Sequence, residues 1–240
     1  MATYIAKLAK REEVARGTIA FSFEKPAGFQ FTPGQFIEVT LLNPPETDAE
    51  GDSRTFSIVS APFEANLMVA TRMRETAFKR ALKFLPIGAE VKIEGPFGAF
   101  TLHGDASRPA VFLMGGIGIT PVRSMVLQAT REKLPQRLYL FYSNRQPEDA
   151  AFLKELTELQ RENPNYRLIA TMTQAQDSRG AWTSETGYIN AGMLAKYLSD
   201  LTAPMYYTSG PPEMVKAMRK ILRDAGVKDG QIRTEEFAGY

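Results

Sequence analysis

Two short segments of this 240-residue chain carry residue types suited to holding a large phosphorylated ligand. The first is Arg54-Thr55-Phe56-Ser57, where a guanidinium, two hydroxyls and an aromatic ring follow one another on a segment of β character. The period of two in a strand puts Arg54 and Phe56 on one face and Thr55 and Ser57 on the other, unless the strand bends. A guanidinium forms directional, charge-assisted bonds to phosphate oxygens that an ammonium cannot match. The second segment, some sixty residues on, is Gly115-Gly116-Ile117-Gly118-Ile119-Thr120-Pro121, set between an apolar strand and a helix. Glycines let a backbone approach a pyrophosphate, and the free amides and dipole at the helix start favour its charge. Thr120 is the expected N-cap and Pro121 the expected first helical residue. The spacing is not the Gly-x-Gly-x-x-Gly of classical dinucleotide folds. Taken alone, the glycines also suit a plain tight turn, and Arg54 suits the surface of an edge strand.

Different elements must position the two segments. Up to about residue 104 the chain is rich in short β segments: Gly17 to Phe23, Gln35 to Leu41, Arg54 to Val59, Asn66 to Arg72 and Glu90 to Glu94. They predict a six-stranded antiparallel barrel with one helix, Thr76 to Leu85, capped by Thr76 and stopped by Pro86. An acidic, proline-containing loop, residues 43–52, interrupts the barrel just before Arg54. From Pro109 strands alternate with helices, the helices predicted at Thr120 to Arg131, Glu148 to Arg161, Ala191 to Leu198 and Pro211 to Ala225. That alternation predicts a doubly wound parallel sheet. The polar segment at residues 102–108 places the expected boundary at 104/105, giving domains 1–104 and 105–240.

Composition bounds the function classes. With 44% hydrophobic and 23% charged residues the chain is an ordinary globular protein, which excludes a disordered or repeat protein. A net charge of +2 gives no reason to expect nucleic acid as a partner. The absence of cysteine removes disulfides and iron–sulfur ligation, so no metal site is expected. The first residues lack a signal-peptide pattern and the longest apolar run is broken by glycines and a proline. The expectation is a cytoplasmic protein without membrane insertion. His103, the lone histidine, has no triad pattern around it.

Five motifs in order, spread over essentially the whole chain, resemble those of the ferredoxin-NADP reductase superfamily. They are Arg54-Thr55-Phe56-Ser57, Gly95-Pro96-Phe97-Gly98, the Gly115 to Pro121 turn, Ser209-Gly210-Pro211-Pro212 and the ending Glu235-Glu236-Phe237-Ala238-Gly239-Tyr240. The resemblance implies a barrel that binds FAD and an α/β domain that binds NAD(P)H. It also implies hydride transfer from nicotinamide to flavin, with electrons passed on to a separate protein such as ferredoxin, flavodoxin or an oxygenase component. On this resemblance Arg54 holds the FAD pyrophosphate with Thr76 and Lys79 at a helix N-terminus, Phe56 packs on the isoalloxazine and Ser57 lies near flavin N5. Thr55, Thr71, Arg72 and Phe78 complete the flavin side.

The same resemblance assigns Gly115, Gly116, Gly118, Thr120, Pro121, Ser143, Arg145, Gly210 and Pro211 to the nicotinamide nucleotide. Ser209 stands where the family has a cysteine beside the nicotinamide, and Phe56 where it has a tyrosine. Either Phe237 or Tyr240 would shield the flavin face; Phe237 equally suits a core position at the end of the last strand. Ser143 and Arg145 suit a ribose phosphate, whereas Thr173-Gln174 lacks the Ser-Arg pair of plant-type reductases. That favours NADH and leaves NADPH open. The cluster Arg72, Arg74, Lys79, Arg80 and Lys83, with only Glu75 nearby in sequence, suits a solvated helix face or an acidic redox partner. The two substitutions, Phe56 and Ser209, keep a different class open as well: a flavin-binding subunit without turnover.

Overall fold

A computed structural model describes residues 2–178 and 180–237. The expected two regimes are present. The first is a sheet of β1 (Thr3–Ala15), β2 (Thr18–Glu24), β3 (Phe36–Leu41), β4 (Ser53–Ser57), β5 (Asn66–Arg72) and β6 (Glu90–Phe97). All pairs are antiparallel, in the order β4-β3-β6-β1-β2-β5. The sheet curls into a half-barrel, and just past β4 the Val59 amide donates to Met68 O of β5 at 2.8 Å. Alternation supplies its core: Val91 and Ile93 of β6, Leu67 and Val69 of β5, and Ile37 and Val39 of β3 are fully buried. Helix α1 (Ala77–Phe84) plugs one end with Phe78 and Leu82, each contributing about 1.5–3 kcal/mol of burial. Thr76 caps it as expected, accepting from the Lys79 amide at 3.3 Å.

The second sheet is parallel throughout. It contains β7 (Ala110–Gly115), β8 (Leu138–Asn144), β9 (Tyr166–Met172), β10 (Glu185–Thr186), β11 (Met205–Gly210) and β12 (Ile232–Glu236), in the order β10-β9-β8-β7-β11-β12. Central strands such as β7 are buried on both faces and therefore read as continuous apolar runs. Helices α2 (Thr120–Arg131) and α3 (Leu153–Glu162) cover one face, and α4 (Ala191–Tyr197) and α5 (Pro212–Asp224) the other. Strand order reverses at β7, so the crevice at the carboxyl ends of β7 and β11 is where such a sheet takes its ligand.

Three expectations need correcting. Strand β1 is not among the segments named from the sequence and escapes its pattern, because its exposed positions include Lys7, Lys10, Glu12 and Glu13. Helix α3 starts at Leu153, not Glu148, since Pro147–Asp149 form a 3-10 turn and Phe152 takes a left-handed φ of 60°. Thr120 is not the cap of α2: a 3-10 turn over Gly116–Ile119 leads directly into the helix, Ile119 holds the cap position, and the Thr120 hydroxyl donates back to Ile117 O at 2.9 Å. Among the described residues, no helix is long and apolar enough to cross a membrane.

Candidate active site

A cleft of about 700 Å³ opens between the half-barrel and the parallel sheet. All of Arg54, Thr55, Phe56 and Ser57 line it from β4, and Thr71 and Arg72 from β5. Thr76 and Lys79 reach it from the start of α1, Ile117 and Thr120 from the glycine turn, and Glu235 to Phe237 from the end of β12. The two motifs that seemed separate in sequence therefore face one space.

The barrel wall is cationic. Arg54 lies with its guanidinium 5.0 Å from the Phe78 ring, which holds it in place by packing and cation–π attraction. Its nitrogens donate to Ser53 O at 2.7 Å, Glu50 O at 3.0 Å and Asp48 Oδ1 at 2.8 Å. The Arg54 bond holds the Asp48 carboxyl below its usual range, helped by the amides of Glu50 and of Ala77 at the start of α1. Asp48 thus holds the kind of place, on a guanidinium and at a helix N-terminus, that a phosphate would take. Lys79 donates to Arg72 O at 2.8 Å. Burial, with Arg74 and Arg54 close by, lowers its pKa to about 8, which a bound anion would reverse. The loop at 43–52 also supplies Glu46, paired with Arg80 at 2.6 Å. The cluster that looks unopposed in sequence is partly neutralised by acids some thirty residues away.

The opposite wall is built on close backbone approach. A Cβ at Gly118 would overlap the Ser209 carbonyl and come within 2.8 Å of the Gly210 amide. One at Gly210, where φ is +154°, would stand 3.2 Å from Gly115 Cα. Pro211 packs 3.2 Å from the place a Gly115 Cβ would take. These glycines let the carboxyl ends of β7 and β11 come together, and only Ile117 and Thr120 of the turn reach the cleft surface.

Where the walls meet, polar groups are poorly satisfied. Ser57 Oγ, Ser209 Oγ and Glu235 Oε2 are buried atoms without a hydrogen bond of ordinary geometry among the described residues, Ser57 and Glu235 having only a weak contact with each other. Ser209 and Glu235 are register neighbours on β11 and β12. Desolvation raises the half-buried Glu235 carboxyl to about 7, and the nearby Ser57 hydroxyl opposes the shift. Phe237 borders the cleft, its amide donating to Gly210 O at 3.1 Å. Buried hydroxyls and a carboxyl left poorly satisfied are costly unless a ligand meets them. The donor set, cationic at one end and neutral and hydrogen-bonding at the other, fits a flavin dinucleotide.

Other expected residues fall outside the cleft or, like Phe56, barely reach it. Phe78 is 1% exposed in the barrel core and offers a ligand no surface; it supports Arg54 instead. Phe56 is 8% exposed, its ring 6.0 Å from that of Phe78, and gives the cleft little area. Alternation explains this: on β4 the Phe56 face is the core face, while Thr55 is exposed. Ser209 is fully buried. Gly115, Gly116, Gly118, Pro121, Gly210 and Pro211 form the crevice behind the lining, and Ser143 and Arg145 lie at and just beyond the carboxyl end of β8. Tyr240 lies outside the described residues. Glu235, Arg74 and Glu50 line the cleft without having been singled out as ligands. Glu235 had a signal, since it sits two residues before Phe237, at the end of the last strand. His103 is structural, its Nδ1 2.9 Å from Tyr207 Oη and its Nε2 2.7 Å from Gln136 Nε2.

Residues 112–220 match the family described as the oxidoreductase NAD-binding domain. One component of the Na(+)-translocating NADH-quinone reductase of Methylococcus capsulatus is 35% identical over 156 residues, which is 63% of this chain and 38% of that protein. The glycine betaine monooxygenase reductase subunit of Chromohalobacter salexigens is 26% identical over 223 residues, 92% of this chain and 60% of that one. The chain therefore spans less than two thirds of the length of either relative. A ferredoxin NADP+ reductase from Neisseria gonorrhoeae, with bound FAD and NADP, superposes with a TM-score of 0.79 at 20% identity, covering 98% of both chains. With its curled antiparallel sheet, its parallel sheet and its NAD-binding segment, this chain has the fold of the ferredoxin-NADP reductase superfamily.

Proposed function

We propose that this chain is a flavin-dependent oxidoreductase that takes hydride from NAD(P)H and passes electrons to a separate redox protein. The observation that carries this reading is the single cleft onto which both the Arg54 to Ser57 strand and the glycine turn open, with the poorly satisfied Ser57 and Glu235 where they meet. Bound FAD would supply the chemistry that converts a two-electron hydride donor into single electrons for the acceptor.

The protein's own residues orient and shield. Arg54, Lys79 and the N-terminus of α1 would hold the diphosphate, and the Ser57 hydroxyl would offer a hydrogen bond to the flavin ring. The Gly115 to Thr120 turn would receive the nicotinamide nucleotide at Ile117 and Thr120, with its glycines and Gly210 closing the crevice behind them. Phe237, at the rim of the cleft, would shield the bound flavin and would have to yield to an incoming nicotinamide. Glu235, held near neutral pKa, can keep or release a proton at its carboxyl, close to Ser57. Residues 1–104 act as the flavin domain and 105–240 as the nucleotide domain.

NADH is the favoured donor. Thr173 and Gln174 follow β9 without a guanidinium, and the name of the Methylococcus relative specifies NADH. A reductase subunit of a monooxygenase among the relatives supports an oxygenase component or a ferredoxin as acceptor, with flavodoxin as another small carrier of the same class. The test is anaerobic stopped-flow absorbance of FAD-reconstituted protein mixed with NADH or NADPH. Rapid bleaching of the oxidised flavin band is expected, faster with NADH. Flavin that stays oxidised although bound would overturn the reading and leave a flavin-binding subunit without turnover.

A further inference from the structure

Arg123 sits in the first turn of α2, three residues after the glycine turn ends at Thr120, and is 4% exposed. Its guanidinium is shared between the two sheets. Toward the half-barrel, Nη1 donates to Val59 O at 3.0 Å and to Glu64 Oε2 at 3.0 Å, and Nη2 to Glu64 Oε1 at 3.3 Å. Toward α3, Nε and Nη2 donate to the two oxygens of Glu155 at 2.7 Å each. The planar group lies 5.0 Å from the ring of Phe152, the residue with the strained left-handed backbone. Beside it the Ser124 hydroxyl donates to Ser60 O at 2.7 Å. The receiving segment is itself fixed, because Glu64 Oε2 accepts from the Ala61 amide at 2.6 Å.

Val59 and Ser60 follow Ser57 by two and three residues, and Arg123 and Ser124 follow Thr120 by three and four. The contact thus joins the chain directly behind one wall of the cleft to the chain directly behind the other. A buried arginine gripping a carboxylate from each side is an orientation-sensitive junction, since losing Glu64 removes the charged, bidentate grip across the gap and leaves only the neutral carbonyls of Val59 and Ser60 to register the two sides. Hydride donor and acceptor must meet within roughly 3–3.5 Å, and a shift of about 1 Å can cost on the order of a hundredfold in rate.

We infer that Arg123 is a positioning residue that sets the distance between the flavin-side and nicotinamide-side walls, with Glu64 as its working partner across the cleft and Glu155 as its anchor. This rests on the reading that hydride passes between the two walls. Replacing Arg123 itself would strand two carboxylates and risks unfolding, so the two partners are cut separately. Glu64→Ala should slow flavin reduction at saturating nucleotide by about 10- to 100-fold while FAD affinity stays unchanged. Glu155→Ala should lower the thermal midpoint and leave that rate alone.

A second readout needs neither cofactor. The native chain has no cysteine, so spin labels on Glu24→Cys and Lys216→Cys, exposed positions on the two sides, report the inter-sheet distance directly. Its distribution should broaden in Glu64→Ala and not in Glu155→Ala. An unchanged rate or an unchanged distance in Glu64→Ala, or equal behaviour of the two variants, overturns the assignment. If the unmutated protein is not reduced by either nucleotide, the hydride reading fails on its own and the distance measurement alone judges Arg123.

Discussion

On the barrel side the cleft is open and cationic, with Arg54, Arg72, Arg74 and Lys79 around it. At the glycine turn the chain is packed closely, Gly118 against the Ser209 backbone where no Cβ fits and Gly210 in tight contact with the Gly115 backbone. Both arrangements suit a dinucleotide, by different physics. Side-chain cations attract at a distance but repel one another, and here carboxylates from an acidic loop relieve that repulsion through Asp48 on Arg54 and Glu46 on Arg80. Backbone amides at a helix start carry no net charge and need no such relief, but demand a fixed close approach. The first wall should therefore fail in affinity when altered, and the second in folding.

The largest effect is expected at Gly118. A methyl group there meets the Ser209 carbonyl, which cannot retreat without opening the β7–β11 ladder. Overpacking of this kind costs about 1–3 kcal/mol, and a backbone obstacle puts Gly118→Ala at about 3 kcal/mol or more. Thermal and denaturant unfolding measure it; a midpoint within about 2 °C of the parent would show the crevice to be looser than described. Arg54→Ala should instead leave stability nearly unchanged and weaken FAD by about 10- to 100-fold, the range for hydrogen bonds to charged groups. Flavin fluorescence titration measures it. Asp48→Asn sharpens the contrast: if its carboxylate occupies a phosphate's place, removing the charge should strengthen FAD binding, and weaker binding would show that the loop supports the ligand directly.

The sequence carried the regimes and the motifs well because each is local. Period-two apolar alternation, the Thr76 cap and the Gly-Gly-x-Gly turn all depend on neighbours within a few residues. Errors arose where distant partners decide. Thr120 has the residue type of a cap, yet the 3-10 turn before it makes Ile119 the cap. Phe78 is expected on the flavin side, yet its helix turns the ring into the core. The basic cluster after Arg72 looks unopposed until the 43–52 loop folds over it. Arg123 had no signal at all: an arginine on a helix is ordinarily solvated, and only the fold brings Glu64 and Glu155 to it.

The smallest predicted effect tests the junction of the two walls. Glu235 has a folded pKa of about 7 against an ordinary value of 4.5, because burial disfavours its charged form. Between these values the unfolded chain has lost its proton and the folded chain has kept it. The unfolded state then binds fewer protons, and stability falls as pH rises through this window. Below pH 4.5 both states are protonated and the penalty is absent; above pH 7 it is constant. The full shift corresponds to roughly 3 kcal/mol, and partial exposure brings the expected effect to about 1–2 kcal/mol. Glu235→Gln keeps the shape and removes the titration, so the difference in unfolding free energy between variant and parent isolates this one group from the other carboxylates. That difference should grow in favour of the variant from pH 4.5 to 7 and then level off. A difference flat with pH would mean that Glu235 is solvated and the two walls stand further apart; a difference that grows and then shrinks when FAD is added would place the carboxyl against the ligand itself.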